Sequence, residues 1–211
     1  MYREGLFDNA APASKTVLEI GGGYGGLAHQ VAHCLGDSLD RYVIVDLPEV
    51  LLFSASYLSI HNGPENVFLY DPTNPSSTVD QLQTGPARFT LVPNFRLDLV
   101  GGFPIDLALN IASFQEMTAV QVDNYLSTIS SNLEGALVSF NRPTNGEANA
   151  ELGDLRDLFD RHFQWQTVEM PLTPTVSARV RANRAARALA RRLLGRPTLY
   201  SEYELVVARN S

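Results

Sequence analysis

A short apolar run, Val17 to Ile20, breaks directly into glycine, and the segment KTVLEIGGGYGG sets Gly21, Gly23 and Gly26 in G-x-G-x-x-G spacing. A run of this length reads as a buried parallel strand, and the glycines let the backbone turn sharply into a helix. Leu27, Val31, Cys34 and Leu35 then recur at helical spacing, with Gly36 as a stop. Tyr42 to Val45 is a second strand, closed by Asp46 and Leu47, and Pro48 suits the first turn of a helix reaching about Ile60. A glycine turn at a helix N-terminus offers amide donors to a nucleotide-type ligand, although tight packing of helix on strand uses the same glycines. Asp46, by itself, is equally a helix N-cap. At the end of the second strand, together with the glycines, it reads as a carboxylate that accepts from both hydroxyls of a ribose.

The rest of the chain continues the alternation. Strands are expected at Val67–Tyr70, Phe89–Val92, Ile105–Asn110, Ala136–Phe140, Trp165–Met170 and Tyr203–Ala208, with helices at Val120–Leu133 and Ala148–Phe163. The stretch around DPTNPSST is too rich in Pro, Ser and Thr to show a period. Strands alternating with helices imply an α/β domain with a mostly parallel sheet covered on both faces. A length of 211 residues fits one domain over 1–211, and 45% hydrophobic with 18% charged residues exclude a disordered chain. No apolar run is long enough to span a membrane and the N-terminus has no secretory pattern, so a cytoplasmic location is expected. Cys34, the single cysteine, excludes an internal disulfide and is expected to be buried.

Nicotinamide and S-adenosylmethionine enzymes share a glycine turn and a ribose acid. Glu19 separates them: a carboxylate two residues before the glycines holds the cationic amino end of methionine but repels a pyrophosphate. A short-chain dehydrogenase also needs a lysine paired with its catalytic tyrosine, and the only lysine, Lys15, is expected to precede the whole fold. VLEIGGGYGGLA, YVIVDLPEVLLFSASYLS and DLALNIASFQEM together resemble the sugar O-methyltransferases of the S-adenosylmethionine-dependent superfamily, over about Thr16 to Leu133. The resemblance implies a Rossmann-like seven-stranded sheet ordered 3-2-1-4-5-7-6, with strand 7 antiparallel. It further implies S-adenosylmethionine as cofactor and methyl transfer to a hydroxyl of a sugar or glycosylated metabolite. The cofactor residues it implies are Glu19, Gly21, Gly22, Gly23 and Asp46 with Leu47 beside it. Pro93-Asn94-Phe95 edges the adenine, with Asp71 as the alternative, and Asn110 lies beside the methionine part. A nicotinamide oxidoreductase and a non-catalytic binding domain remain the alternatives. The first strand starts near residue 16, whereas such enzymes often carry a longer N-terminal region over the substrate site.

A sugar hydroxyl needs help to lose its proton, and SFQEM leaves the carboxyl end of a central strand, where doubly wound folds hold their ligands. Glu116 is therefore the candidate base and Gln115 the candidate orienting group. An acid in the first turn of the following helix is the competing reading of Glu116. His29 and His33 share a helical spacing without a carboxylate to complete a metal site, and no metal is expected. Between 179 and 196 stand seven arginines and no acid. This segment reads as an arginine-rich helical insertion at about 176–197 that neutralises the acidic domain or packs on a second subunit, with a phosphorylated or acidic substrate and an anionic membrane or nucleic acid as the alternatives. The net charge of −7 argues against nucleic acid.

Overall fold

The computed structural model describes residues 15–144, 149–168 and 203–210. Among the described residues eight strands form one sheet: β1 (Lys15–Ile20), β2 (Leu39–Asp46), β3 (Val67–Leu69), β4 (Phe89–Pro93), β5 (Ile105–Ile111), β6 (Leu133–Asn141), β7 (Gln164–Thr167) and β8 (Glu204–Arg209). Their order is β3-β4-β2-β1-β5-β6-β8-β7. All pairs from β3 to β6 are parallel, and β8 runs antiparallel to both β6 and β7. The expected seven-strand order is contained in this sheet, extended at one edge by the three-residue β3. The strand that pairs with β2 is β4, not β3, so the loop next to the end of β2 is Pro93-Asn94-Phe95 and not the one at Asp71.

Alternate residues of the central strands feed two separate cores, as a period of two requires when both faces are covered. Leu18, Ile20, Val43, Val45 and Val92 pack with α4 (Ala119–Asn132) and α5 (Leu155–His162), together with Leu82 of α3 (Pro75–Thr84). Val17, Tyr42, Ile44 and Leu91 pack with α1 (Gly26–Leu35) and α2 (Pro48–Asn62). Glu19 therefore lies on the α1/α2 face.

Three local expectations are corrected. Cys34 is exposed, because the buried stripe of α1 is Ala28, Val31, Ala32 and Leu35. The helix expected over Ala148–Phe163 begins only at Leu155: Gly153 has φ 71, and Asp154 caps the helix by accepting from the Arg156 amide at 2.9 Å. Conversely, α3 starts inside the stretch that showed no period, with Pro75 in its first turn. Lys15 starts β1 and pairs with Asp106 at 3.2 Å, at the end of the sheet opposite the glycine turn. The arginine-rich segment at 176–197 lies outside the described residues, as does the end of the strand expected over Trp165–Met170.

Candidate functional site

The parallel strands all deliver their carboxyl ends to one edge, and the residues singled out in the sequence collect there. Leaving β1, the chain turns with φ 76 at Gly21, 57 at Gly23 and 87 at Gly25, values that side chains adopt only under strain. Space is also limiting: a Cβ on Gly21 would run into the Ser113 side chain, and one on Gly22 would stand 2.6 Å from Ile44 Cγ2. At Gly23 nothing lies within 4 Å of such a carbon, so the tip of the turn leaves space for a ligand. Ser54 on α2 fixes the turn from outside by donating to the Gly23 carbonyl at 2.6 Å.

Asp46 is gripped from two sides. The Gly23 amide donates to Oδ2 at 2.8 Å and the Leu47 amide to Oδ1 at 2.7 Å, which ties the end of β2 to the glycine turn. Burial raises its pKa, and these two amides oppose the rise. The N-cap role is not taken: Leu47 is the N-cap residue of α2 and no side chain caps it.

Glu19 lies beneath the turn, 2% exposed. The Tyr42 hydroxyl donates to Oε2 at 2.8 Å. Burial lifts the carboxyl to about 7, opposed by the Tyr42 bond and aided by the nearby charge of Asp46. Burial likewise pushes the Tyr42 phenol well up, so it remains a donor. The sequence carried no sign of this pairing, since Tyr42 reads simply as a strand residue.

On the other side of β1, Asn110 is wholly buried and its amide is spent on the protein. It donates to the Ile20 carbonyl at 3.0 Å and to Ser113 Oγ, and accepts from Asn141 Nδ2 at 2.7 Å. Asn110 thus bolts the ends of β1, β5 and β6 together at the carboxyl edge of the sheet. Ala112, immediately after β5, has φ 58, the single non-glycine residue with positive φ among those described. Its amide donates to the Phe140 carbonyl at 2.8 Å, which holds this conformation. A left-handed residue without glycine costs about 1–2 kcal/mol, more when β-branched. Ala112→Val is expected to lower unfolding stability by about 1–3 kcal/mol, whereas Ala112→Gly does not lower it. Urea melts of the two variants check this, and equal destabilisation would remove the strain argument.

Gln115 is buried and Glu116 exposed. The Gln115 carboxamide donates to Glu116 Oε1 at 3.0 Å and to the Tyr203 hydroxyl at 3.0 Å, and accepts from the Arg142 amide at 3.0 Å. Neither Arg142 nor Tyr203 stands out in the sequence as a site residue. An antiparallel last strand necessarily starts at the carboxyl edge of its parallel neighbours, and that signal brings Tyr203 here. Asn94 is half-buried directly after β4, whose Pro93 pairs in register with Asp46. Beside it opens a cavity of about 360 Å³ whose walls include Pro48, Leu52, Leu69, Tyr70, Pro93 and Phe95. The described residues contain no group of three or more His, Cys, Asp or Glu side chains able to hold a metal. No described helix is long and apolar enough to cross a membrane.

No protein-family model matches the sequence. No curated protein sequence matches it either. Solved structures do match the fold. An O-methyltransferase family protein from Burkholderia thailandensis superposes with a TM-score of 0.58 at 12% identity, over 98% of this chain and 53% of that one. An O-methyltransferase family 2 protein from Planctomyces limnophilus, in complex with apigenin, gives 0.54 at 13%, over 96% and 52%. A precorrin-6y C5,15-methyltransferase from Geobacter metallireducens gives 0.55 at 11%, over 99% and 87%. The chain spans about half the length of the first two. These likenesses, with the sheet order above, show a Rossmann-like methyltransferase fold.

Proposed function

We propose that this chain is an S-adenosylmethionine-dependent O-methyltransferase whose acceptor is a hydroxyl of a small molecule, of the sugar or glycosylated class. The observation that carries the reading is the pairing of two carboxylates on one glycine turn. Asp46 is clamped by the Gly23 and Leu47 amides, while Glu19 is buried beneath the same turn. These groups suit the cofactor: Asp46 accepts from the ribose diol, Glu19 accepts from the ammonium of methionine, and the Gly21-Gly22-Gly23 backbone allows close approach. Leu47 and Asn94 flank the adenine in this reading, and the apolar cavity bounded by Pro93 and Phe95 receives the ring. A pyrophosphate set over the Glu19 carboxylate would meet repulsion in a low-dielectric place. That weighs against a nicotinamide cofactor.

The bound cofactor supplies a methyl group on a sulfonium, so the protein's share of the chemistry is mainly alignment and proton removal, with alignment worth up to ~7–11 kcal/mol. Glu116 is the carboxylate offered to the acceptor's hydroxyls, as base or as anchor. Gln115, whose carboxamide is bonded within the protein, fixes Glu116 in preference to gripping the acceptor. The O-methyltransferases among the matching structures support the reaction class.

Calorimetric titration with S-adenosylhomocysteine and, separately, with NADH tests the reading. Micromolar binding of the thioether and no heat with NADH is the expected result. Binding of NADH alone would overturn it, and binding of neither would leave a domain of this fold that does not take the cofactor.

A further inference from the structure

The Gln115 carboxamide nitrogen serves two oxygens at once, Glu116 Oε1 and the Tyr203 hydroxyl, each at 3.0 Å. The two oxygens are therefore at most about 6 Å apart, a span that two neighbouring hydroxyls of a polyol can bridge. They arrive from distant parts of the chain. Glu116 comes from the short 3₁₀ turn after β5, and Tyr203 from the residue before β8, which the antiparallel course of that strand brings to the carboxyl edge. The Tyr203 oxygen also accepts from Arg142 Nη2 at 3.5 Å, and the Arg142 guanidinium stands 5.3 Å from the centre of the Tyr203 ring. Phe140 packs against the same ring, centroids 5.0 Å apart, so the phenol is held in position. Structural cross-linking alone would be served by any donor and acceptor. Here two N–H donors converge on one phenol oxygen next to a carboxylate.

We propose that Tyr203 is the catalytic proton acceptor for the hydroxyl being methylated, with Glu116 anchoring the adjacent hydroxyl and Gln115 and Arg142 positioning the phenol oxygen. This rests on the methyltransferase reading above. In the step, the acceptor's O–H proton passes to the Tyr203 phenolate oxygen and the freed electron pair forms the new O–C bond. The C–S bond of the sulfonium breaks with its electrons left on sulfur, giving the thioether, and the tyrosine proton then exchanges with solvent. Donation from Gln115 and Arg142 stabilises the phenolate and lowers the Tyr203 pKa from its usual value, while the negative charge of Glu116 works against them. Glu204, the next residue, is paired with Arg156. The assignment narrows the acceptor class to molecules with two adjacent hydroxyls.

Tyrosinate absorbance followed against pH tests this on the whole chain, ligand-free and then saturated with S-adenosylhomocysteine or with S-adenosylmethionine. One of the eight tyrosines is expected to ionise below the ordinary range near about 10. That step is absent in Tyr203→Phe and moves to higher pH in Arg142→Gln. Because only S-adenosylmethionine puts a positive sulfur beside the acceptor, the step falls by roughly one pH unit between the thioether and sulfonium complexes. Calorimetry on Tyr203→Phe is expected to give the wild-type affinity for S-adenosylhomocysteine within about two-fold, as for a side chain outside the cofactor contacts. A titration unchanged by Tyr203→Phe, or a step unmoved by the sulfonium charge while both ligands bind, overturns the assignment alone. Failure of the wild type to bind either ligand brings down the methyltransferase reading, and this assignment with it.

Discussion

Asp46→Ala is expected to weaken S-adenosylhomocysteine binding by roughly 100- to 1000-fold. A carboxylate accepting from two ribose hydroxyls makes two charge-assisted bonds, each contributing about 1.5–3 kcal/mol, and a loss of about 3–4 kcal/mol corresponds to that factor. Part of the effect is indirect. The Gly23 and Leu47 amides at 2.8 and 2.7 Å lose their acceptor, and the turn loses its tie to β2. Water can reach both amides because Asp46 is only half-buried, so the fold is expected to persist with a stability change of about 1 kcal/mol. Asp46→Asn separates the two contributions. It keeps one acceptor oxygen for the turn but lacks the charge, and an affinity about tenfold below wild type is expected for it. Calorimetry on the three proteins, with a urea melt of each, checks the series. Undiminished binding by the alanine variant would sink the ribose assignment.

Much of the route to this site is written locally. The run Val17 to Ile20, apolar except for Glu19 and broken by three glycines, reads as a strand turning into a helix. Likewise Asp46 must fall at a strand end when Tyr42 to Val45 precede it and a proline follows. Patterns that depend on distant partners were less legible. Tyr42 is an ordinary β residue until β1 and β2 come into register and set its hydroxyl on Glu19. Nothing local to Asn110 announces that Ile20, Ser113 and Asn141 take up its amide. Small residues also mislead. The alanines of α1 carry its buried face, so a pattern read from larger side chains rotated the helix and turned Cys34 inward. Helix α3 is not legible in the sequence because Pro, Ser and Thr favour a helix start as well as a loop, and only Thr78, Gln81 and Leu82 of its ten residues are buried.

Glu19→Gln is expected to stabilise the ligand-free protein at pH 8 and at the same time to impair cofactor binding. Burial raises the Glu19 carboxyl from 4.5 to about 7. The folded state therefore holds this proton more tightly than the unfolded chain does. The stability that comes from the raised pKa is fully present below about 4.5, declines as pH rises towards 7, and is gone above it. The gap corresponds to on the order of 3 kcal/mol, the cost of keeping a buried ionised carboxylate when no cation sits on it. Glutamine keeps an oxygen for the Tyr42 hydroxyl and has no charge to bury, so the variant escapes that decline. Urea melts are expected to coincide near pH 4.5 and to separate by about 2–3 kcal/mol at pH 8, with the variant the more stable, a few degrees in Tm per kcal/mol for a chain of this size. Other titrating groups are common to both proteins and cancel in the difference. The same proton governs the ligand: an ammonium requires the ionised carboxylate, so wild-type affinity for S-adenosylhomocysteine rises about tenfold per pH unit from 5 to 7 and then levels. In Glu19→Gln that limb is flat and affinity at pH 8 is lower. Parallel stability curves for the two proteins would show that Glu19 is not held near neutrality. A preserved pH limb of binding in the variant would assign the methionine ammonium to another acid.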